Sequence, residues 1–163
     1  MPTRSTRATA ALEAKGVGYI VHEYVVAEKV GKGYGEAVAA AIGLPAARVF
    51  KTLVVEVDKV PVVAVVPVTT RLSTRLLAKA AGGKRAEMAA PPVAERLTGY
   101  VTGGISPFGQ KRLLDSYVDS SARDHDTVAV SGGVRGIQLE IAPGDLIWVT
   151  GATVTALVDP DRR

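Results

Sequence analysis

The residues with the most chemical promise are few and lie far apart. Lys51 falls in "VFKTLVVEV", where strand alternation places it on the row of Val49, Leu53, Val55 and Val57. A lone ammonium in an apolar row is costly, so Lys51 either reaches solvent from a strand end or stands at a pocket mouth as a cation for a carbonyl or phosphate. Asp145 in "APGDL" also carries two readings: it caps a helical turn after Pro-Gly, or its carboxylate grips a substrate amine. Ser131 opens "SGGVRG", whose glycines either turn a hairpin or let successive N–H groups converge on an anion. In "GYVTGGISPFGQKR", residues 99–112, the glycine pair before "ISP" offers backbone with no Cβ at close range, and Lys111 and Arg112 follow as a pair able to meet phosphates. The same glycines and Pro107 serve a plain chain reversal equally well. His22 reads as a strand-face histidine and His125, between two aspartates, as a solvated loop residue.

Several chemistries are missing. The chain has no cysteine and two histidines, which removes disulfides, cysteine nucleophiles and thiolate metal sites and leaves a histidine-based metal centre poorly supplied. No metal and no cofactor are expected. There is no G-x-x-x-x-G-K-[ST] loop, neither "GKGYG" nor "GGISPFG" fits G-x-G-x-x-G, and no serine sits in G-x-S-x-G. Nucleoside-triphosphate hydrolysis, dinucleotide binding and Ser-His-Asp esterase chemistry lose ground together.

The elements that must position these residues follow from periodicity and punctuation. "RATAALEAKG" predicts a first helix after capping Ser5 and Thr6, with Gly16 as its stop. "VGYIVHEY", residues 17–24, predicts a strand, and "YGEAVAAAIG" a second helix ending at Gly43. "VFKTLVVEVDKVPVVAVVPV" predicts a hairpin turning at "DK", with Pro61 and Pro67 near strand ends. Ser73 is placed to cap "TRLLAKAAGG", and the prolines of "PPVAERLTG" open another helix. Short strands are expected at about 114–119, 126–130 and 137–141, then a turn at "PGDL" and a final apolar strand. Strands outnumber helices without alternating with them, so the expected fold is α+β: a mixed, barrel-like sheet surrounded by helices.

At 163 residues the chain suits one domain, 1–163, with "DPDRR" from 159 as a tail. Its apolar fraction of 47% with only 5% aromatics means a core of Val, Ala, Leu and Ile. The net charge of +4 admits a polyanionic partner, but the basic residues are spread along the chain. No apolar run reaches the roughly 18 residues of a membrane span, and the N-terminus lacks the apolar stretch of a secretory signal. A cytoplasmic protein without a membrane partner is expected.

"HEY", "VFKTL", "GGISPFGQKRLL" and "VSGGVRGIQLEIAPGDL" in combination resemble the YbaK branch of the aminoacyl-tRNA deacylases, over about residues 10–157. The resemblance implies the fold of the editing domain found in prolyl-tRNA synthetase. It also implies a free-standing trans-editing hydrolase that cleaves the ester of mischarged aminoacyl-tRNA, chiefly cysteine on proline tRNA. The enzyme would hold and polarise the ester while the substrate's own thiol attacks, with no protein nucleophile. Positioning and one oxyanion donor, worth about 3 to 4 kcal/mol, suffice for an activated ester.

Carried over by motif, the resemblance makes Lys51, Gly104 and Asp145 catalytic: Lys51 as a clamp near the terminal adenosine and ester, Gly104 as an N–H donor to the carbonyl, Asp145 as a polar hold on substrate. Tyr24, Thr52 and Ser131 become substrate-binding, and Lys111 and Arg112 candidate tRNA contacts. The partners implied are the acceptor end of proline tRNA and, as a candidate, prolyl-tRNA synthetase. "VVAEKVGKGYGE" departs from the family's usual acidic or Thr/Asn-containing segment by carrying Lys29 and Lys32. The competing readings are a deacylase for alanine or another small amino acid, and a non-catalytic module that docks on tRNA or a synthetase.

Overall fold

The computed structural model describes residues 5–26, 31 and 33–159. Lys29, Lys32 and the tail beyond Asp159 therefore lie outside the described residues. In chain order the elements are α1 (Arg7–Ala14), β1 (Ile20–Glu23), α2 (Tyr34–Ile42), β2 (Phe50–Val57), β3 (Val60–Pro67), α3 (Thr74–Ala80), β4 (Ala86–Met88), α4 (Pro91–Thr98), β5 (Ser116–Asp119), β6 (Val128–Ser131), β7 (Ile137–Ile141), α5 (Pro143–Thr150) and β8 (Thr153–Thr155), with short 3-10 turns at Ala46–Arg48 and Ser120–Asp124. The architecture is α+β, as the sequence predicts. Its strands form a five-stranded sheet of order β4-β2-β3-β5-β8 and a three-stranded sheet of order β1-β7-β6. Among the described residues a single isolated parallel bridge, Val49 to Ala129, joins the two.

The β2–β3 hairpin is the spine of the larger sheet, paired antiparallel from Phe50 with Pro67 to Val57 with Val60. Its turn is Asp58-Lys59, both at positive φ (49° and 70°), the backbone shape that matches strand twist in a two-residue hairpin. The Asp58 carboxylate locks that turn by accepting the Lys84 and Arg85 N–H groups at 3.0 and 2.9 Å. Both hairpin strands are buried on two faces, which is why they read as nearly unbroken valine runs. Phe50, Val54, Val63 and Val65 pack into the main core with Leu12, Phe108, Ile137, Leu139 and Leu146. Val55, Val57, Val62, Ala64 and Val66 pack on the opposite side with Leu77 and Ala78 of α3. Val49, just before β2, leaves the row predicted for it and joins Ala39 and Ala129 beneath α2.

Three predictions of local structure need correction. "PGDLIWVT" is the helix α5, with no turn followed by a strand; Pro143 opens it and Gly151 closes it in the left-handed conformation. Leu146 is fully buried and Val149 partly so against the main core, a three-residue spacing that suits one helical face. Only the three residues of β8 remain of the expected final strand. The strand predicted over 17–24 is confined to Ile20–Glu23, because Val17 drops into the core while its N–H closes the end of α1 on the Leu12 carbonyl. β4 is an added edge strand, paired antiparallel to β2 at Val55–Val57. No helix among the described residues is long and apolar enough to cross a membrane.

Candidate functional site

A cavity of about 980 Å³ opens where the two sheets meet, walled by β2, the start of α2, the segment after β3, the 102–105 loop and the ends of β6 and β7. Lys51 and Thr52 come from one sheet, Ser131 and Gln138 from the other, and all four line it. Val68, Thr69, Thr70 and Arg71 also line it, as do Tyr34 and Glu36 of α2, whose Gly35 lies against Val68.

Lys51 is half-buried and donates from Nζ to the Thr70 carbonyl at 2.9 Å. Thr70 is itself fixed, its hydroxyl donating to the Pro67 carbonyl at 2.7 Å. Burial holds the Lys51 ammonium below the ordinary lysine pKa of 10.5; Glu36 pulls it back up and Arg71 pushes it further down. Lys51 is therefore a pocket cation whose charge is poorly hydrated and only lightly neutralised, a state in which an arriving anion or carbonyl oxygen interacts strongly.

Beside it lie two unsatisfied groups. Thr52 Oγ1 and Gln138 Oε1 are buried without a hydrogen-bond partner among the described residues. Such groups are rare in folded proteins because each costs free energy, and both belong to residues that line the cavity. The amide of Gln138 is already oriented: its Nε2 donates to the Tyr24 hydroxyl at 3.4 Å. Tyr34 is near enough to Tyr24 to feel it: its phenol is held above its ordinary pKa first by burial and then by Tyr24. Ser131 stands opposite Gln138 in the β6–β7 register, and its Oγ accepts the Gly133 N–H at 3.2 Å.

The glycine loop is a held object. Thr102 is gripped at both backbone ends: its N–H and hydroxyl donate to Glu95 of α4 at 2.8 and 2.9 Å, and its carbonyl accepts Nε and Nη2 of Arg135 at 3.1 and 2.9 Å. Those two bonds from Thr102 hold the Glu95 carboxyl below the usual glutamate pKa. Further along, the buried Tyr100 hydroxyl donates to the Phe108 carbonyl at 2.6 Å, and burial pushes that phenol up to about 12. Gly103 and Ile105 line the cavity.

The predicted site residues fare differently. Lys51, Thr52 and Ser131 are brought together, and Tyr24 reaches the cavity through Gln138 and Tyr34. Gly104 is buried in the loop, but its N–H donates to the Val101 carbonyl at 2.9 Å, so that N–H is engaged and not aimed at a substrate. What requires glycine there is the chain itself: a Cβ would stand 2.9 Å from the Val134 Cα and 3.0 Å from the Arg135 nitrogen. Asp145 sits in the first turn of α5 and does not line the cavity; an acid there complements the helix N-terminus. Lys111 and Arg112 have exposed side chains, and their N–H groups close the loop onto the Thr98 and Leu97 carbonyls.

Sequence reasoning missed Gln138, Glu36 and Arg71. Gln138 gives a faint signal, a polar residue two positions from Glu140 on the alternate face of "IQLEI". Glu36 and Arg71 give none, since each is an ordinary surface charge until the fold sets it beside Lys51.

Comparison with known proteins covers the region that forms this cavity. The model of the aminoacyl-tRNA editing domain matches residues 31–148, a span that includes every cavity residue. A curated relative from Enterococcus faecalis, "Putative Cys-tRNA(Pro)/Cys-tRNA(Cys) deacylase EbsC", is 37% identical over 148 residues, 90% of this chain and 89% of that one. Among solved structures, "Crystal structure of a putative trans-editing enzyme for prolyl tRNA synthetase" aligns with TM-score 0.82 and 27% identity over 96% of this chain and 99% of the other. The structure of hypothetical protein APE2540 shares the fold at TM-score 0.83 and 23% identity, over 94% of this chain and all of that one.

Proposed function

This chain belongs to the aminoacyl-tRNA editing domain family, and from that premise we propose that it is a trans-editing hydrolase that deacylates mischarged aminoacyl-tRNA, chiefly cysteine on proline tRNA. The observation that carries the reading is the juxtaposition of a lightly neutralised Lys51 with two orphaned polar atoms, Thr52 Oγ1 and Gln138 Oε1. The likeness to EbsC supports the cysteine substrate.

The ester of an aminoacyl-tRNA is already activated, so the protein needs to place it and to stabilise charge on its carbonyl oxygen. Lys51 supplies that charge. Gln138 Oε1 accepts from the α-ammonium group, and the Thr52 hydroxyl meets the ribose or the ester oxygen. The cysteinyl thiol then attacks its own carbonyl carbon; a carbon–sulfur bond forms, the carbon–oxygen bond to the ribose breaks, and the thiol proton ends on the ribose oxygen. Water later opens the released thiolactone. No protein nucleophile takes part, and the carbonyl is polarised by Lys51, not by the N–H of Gly104.

The volume of the cavity, about 980 Å³, is at the upper end of small-ligand sites and suits an aminoacyl group with its adenosine. Purified protein incubated with cysteine-, alanine- and proline-charged proline tRNA tests the proposal: cysteine is released fastest. Intact cysteinyl ester after an hour, with an active control enzyme alongside, defeats it, and faster loss of alanine reassigns the substrate. One methylene or its equivalent discriminates by only about 1 to 3 kcal/mol, so some overlap is expected.

A further inference from the structure

Among the described residues, the charged ones that line the cavity are Lys51, Glu36 and Arg71, two cations against one acid. Lys51 is committed inward, to the Thr70 carbonyl. Arg71, the next residue along from Thr70, is exposed at the rim and close enough to Lys51 for their charges to repel. Its guanidinium has no hydrogen-bond or ion-pair partner among the described residues. Other arginines near the site are used: Arg135 holds the Thr102 carbonyl, and Arg48 is bound to Glu140 and Thr127. An unpaired arginine placed beside a second cation gains most from an anion that both can face.

The inference rests on the proposed function, which seats the ester among Lys51, Thr52 and Gln138. The nucleic acid must then leave through the open side of the cavity. Going outward from the ester, the first anionic group met is the phosphate on the 5′ side of the terminal adenosine. We infer that Arg71 is the binding residue for this phosphate: its planar fork receives two phosphate oxygens at the cavity rim and so sets how deeply the aminoacyl ester enters toward Lys51. Recognition of this kind is blind to the base and to the amino acid. It positions the acceptor end and leaves selectivity to the interior.

The test uses two small substrates, 3′-O-cysteinyl-adenosine and the same ester carrying a 5′-phosphate, with the wild-type protein, Arg71→Gln and Arg71→Lys. The quantity read is the ratio of kcat/KM between the phosphorylated and unphosphorylated esters. In the wild type it is about ten, the worth of a charge-assisted hydrogen bond; in Arg71→Gln it falls to about one, and Arg71→Lys restores part of it. On full-length tRNA, Arg71→Gln also flattens the dependence of log(kcat/KM) on log salt by roughly one contact's share. A wild-type ratio of one, or a ratio unchanged in Arg71→Gln, overturns the inference while leaving the deacylase reading intact. Failure of the wild type to cleave either ester or charged tRNA instead overturns the deacylase reading. Thermal melting of each variant separates loss of binding from loss of fold.

Discussion

Gln138 and Glu140 are two residues apart on one strand and point to the same face, yet they live under opposite rules. Glu140 is fully employed: its carboxylate accepts from Thr127 at 2.5 Å and Arg48 at 3.4 Å and lies 2.7 Å from His22 Nε2. Those contacts tie β1 and β7 to the 3-10 turn before β2 and to the segment entering β6. Gln138 is 6% exposed, and its carbonyl oxygen has no hydrogen-bond partner among the described residues. A buried polar network stabilises when every member is satisfied, and an open member is a cost that folding alone does not explain. The first cluster is architecture. The second is an unmet polar group on a residue that lines the cavity, and it is there that the proposed function seats its substrate.

The comparison breaks most visibly at Lys51. Lys51→Ala is expected to lower deacylation by a hundredfold or more, roughly what loss of one electrostatic contact to a reacting carbonyl costs, while the melting temperature changes little. A large drop in melting temperature would instead make Lys51 a structural residue. Because only the ammonium form serves, the alkaline limb of the wild-type pH–rate profile should fall below 10.5, the ordinary lysine value. A limb at or above 10.5 would mean that Lys51 does not govern it.

Gln138→Leu should lower kcat/KM roughly tenfold, the value of one hydrogen bond to a charged group, with stability unchanged or raised because an orphaned carbonyl is removed. Destabilisation comparable to that of Glu140→Gln would erase the distinction between the two positions. Glu140→Gln is the reverse case, with stability reduced by about 2 kcal/mol and kcat/KM per folded molecule within about twofold of wild type, as for sites away from the ligand. Hydrogen bonds from Thr127 and His22 hold the Glu140 carboxyl below its ordinary 4.5. The stability difference between wild type and Glu140→Gln is therefore complete well above pH 4.5 and fades as the pH falls below it. Denaturant titrations from pH 7 to 3 measure it, and a difference constant across that range refutes the network's role.

Legibility in the sequence followed the range of the forces involved. The β2–β3 hairpin was readable because valine runs, "DK" and two prolines are local signals that agree with one another. The start of α5 was misread although Pro143 and Gly151 punctuate it properly, because "LIWV" has β-prone residues and its helical face is decided by Leu146 meeting a core built from distant segments. Lys51 could be found by asking why an apolar row should contain an ammonium. Gln138 gives only a faint signal, since alternation sends it to the face away from Ile137, Leu139 and Ile141, and nothing local says that this face is covered. Gly104 is singled out in the sequence as an N–H donor to a substrate carbonyl, whereas the structure supplies a steric reason for a glycine there. That reason lies in the Val134–Arg135 backbone pressed against it, a contact more than two dozen positions along the chain.

The bridge from Val49 to Ala129 lies two residues before Lys51 on one side and two before Ser131 on the other. A backbone junction thus holds the two halves of the cavity together beside the residues that line it. Amide protons at this junction make a gauge of site integrity: their exchange with deuterium reports whether the halves are in register, with neither tRNA nor turnover needed. A variant that has lost activity but keeps slow exchange there has lost chemistry, and one whose exchange has quickened has lost alignment.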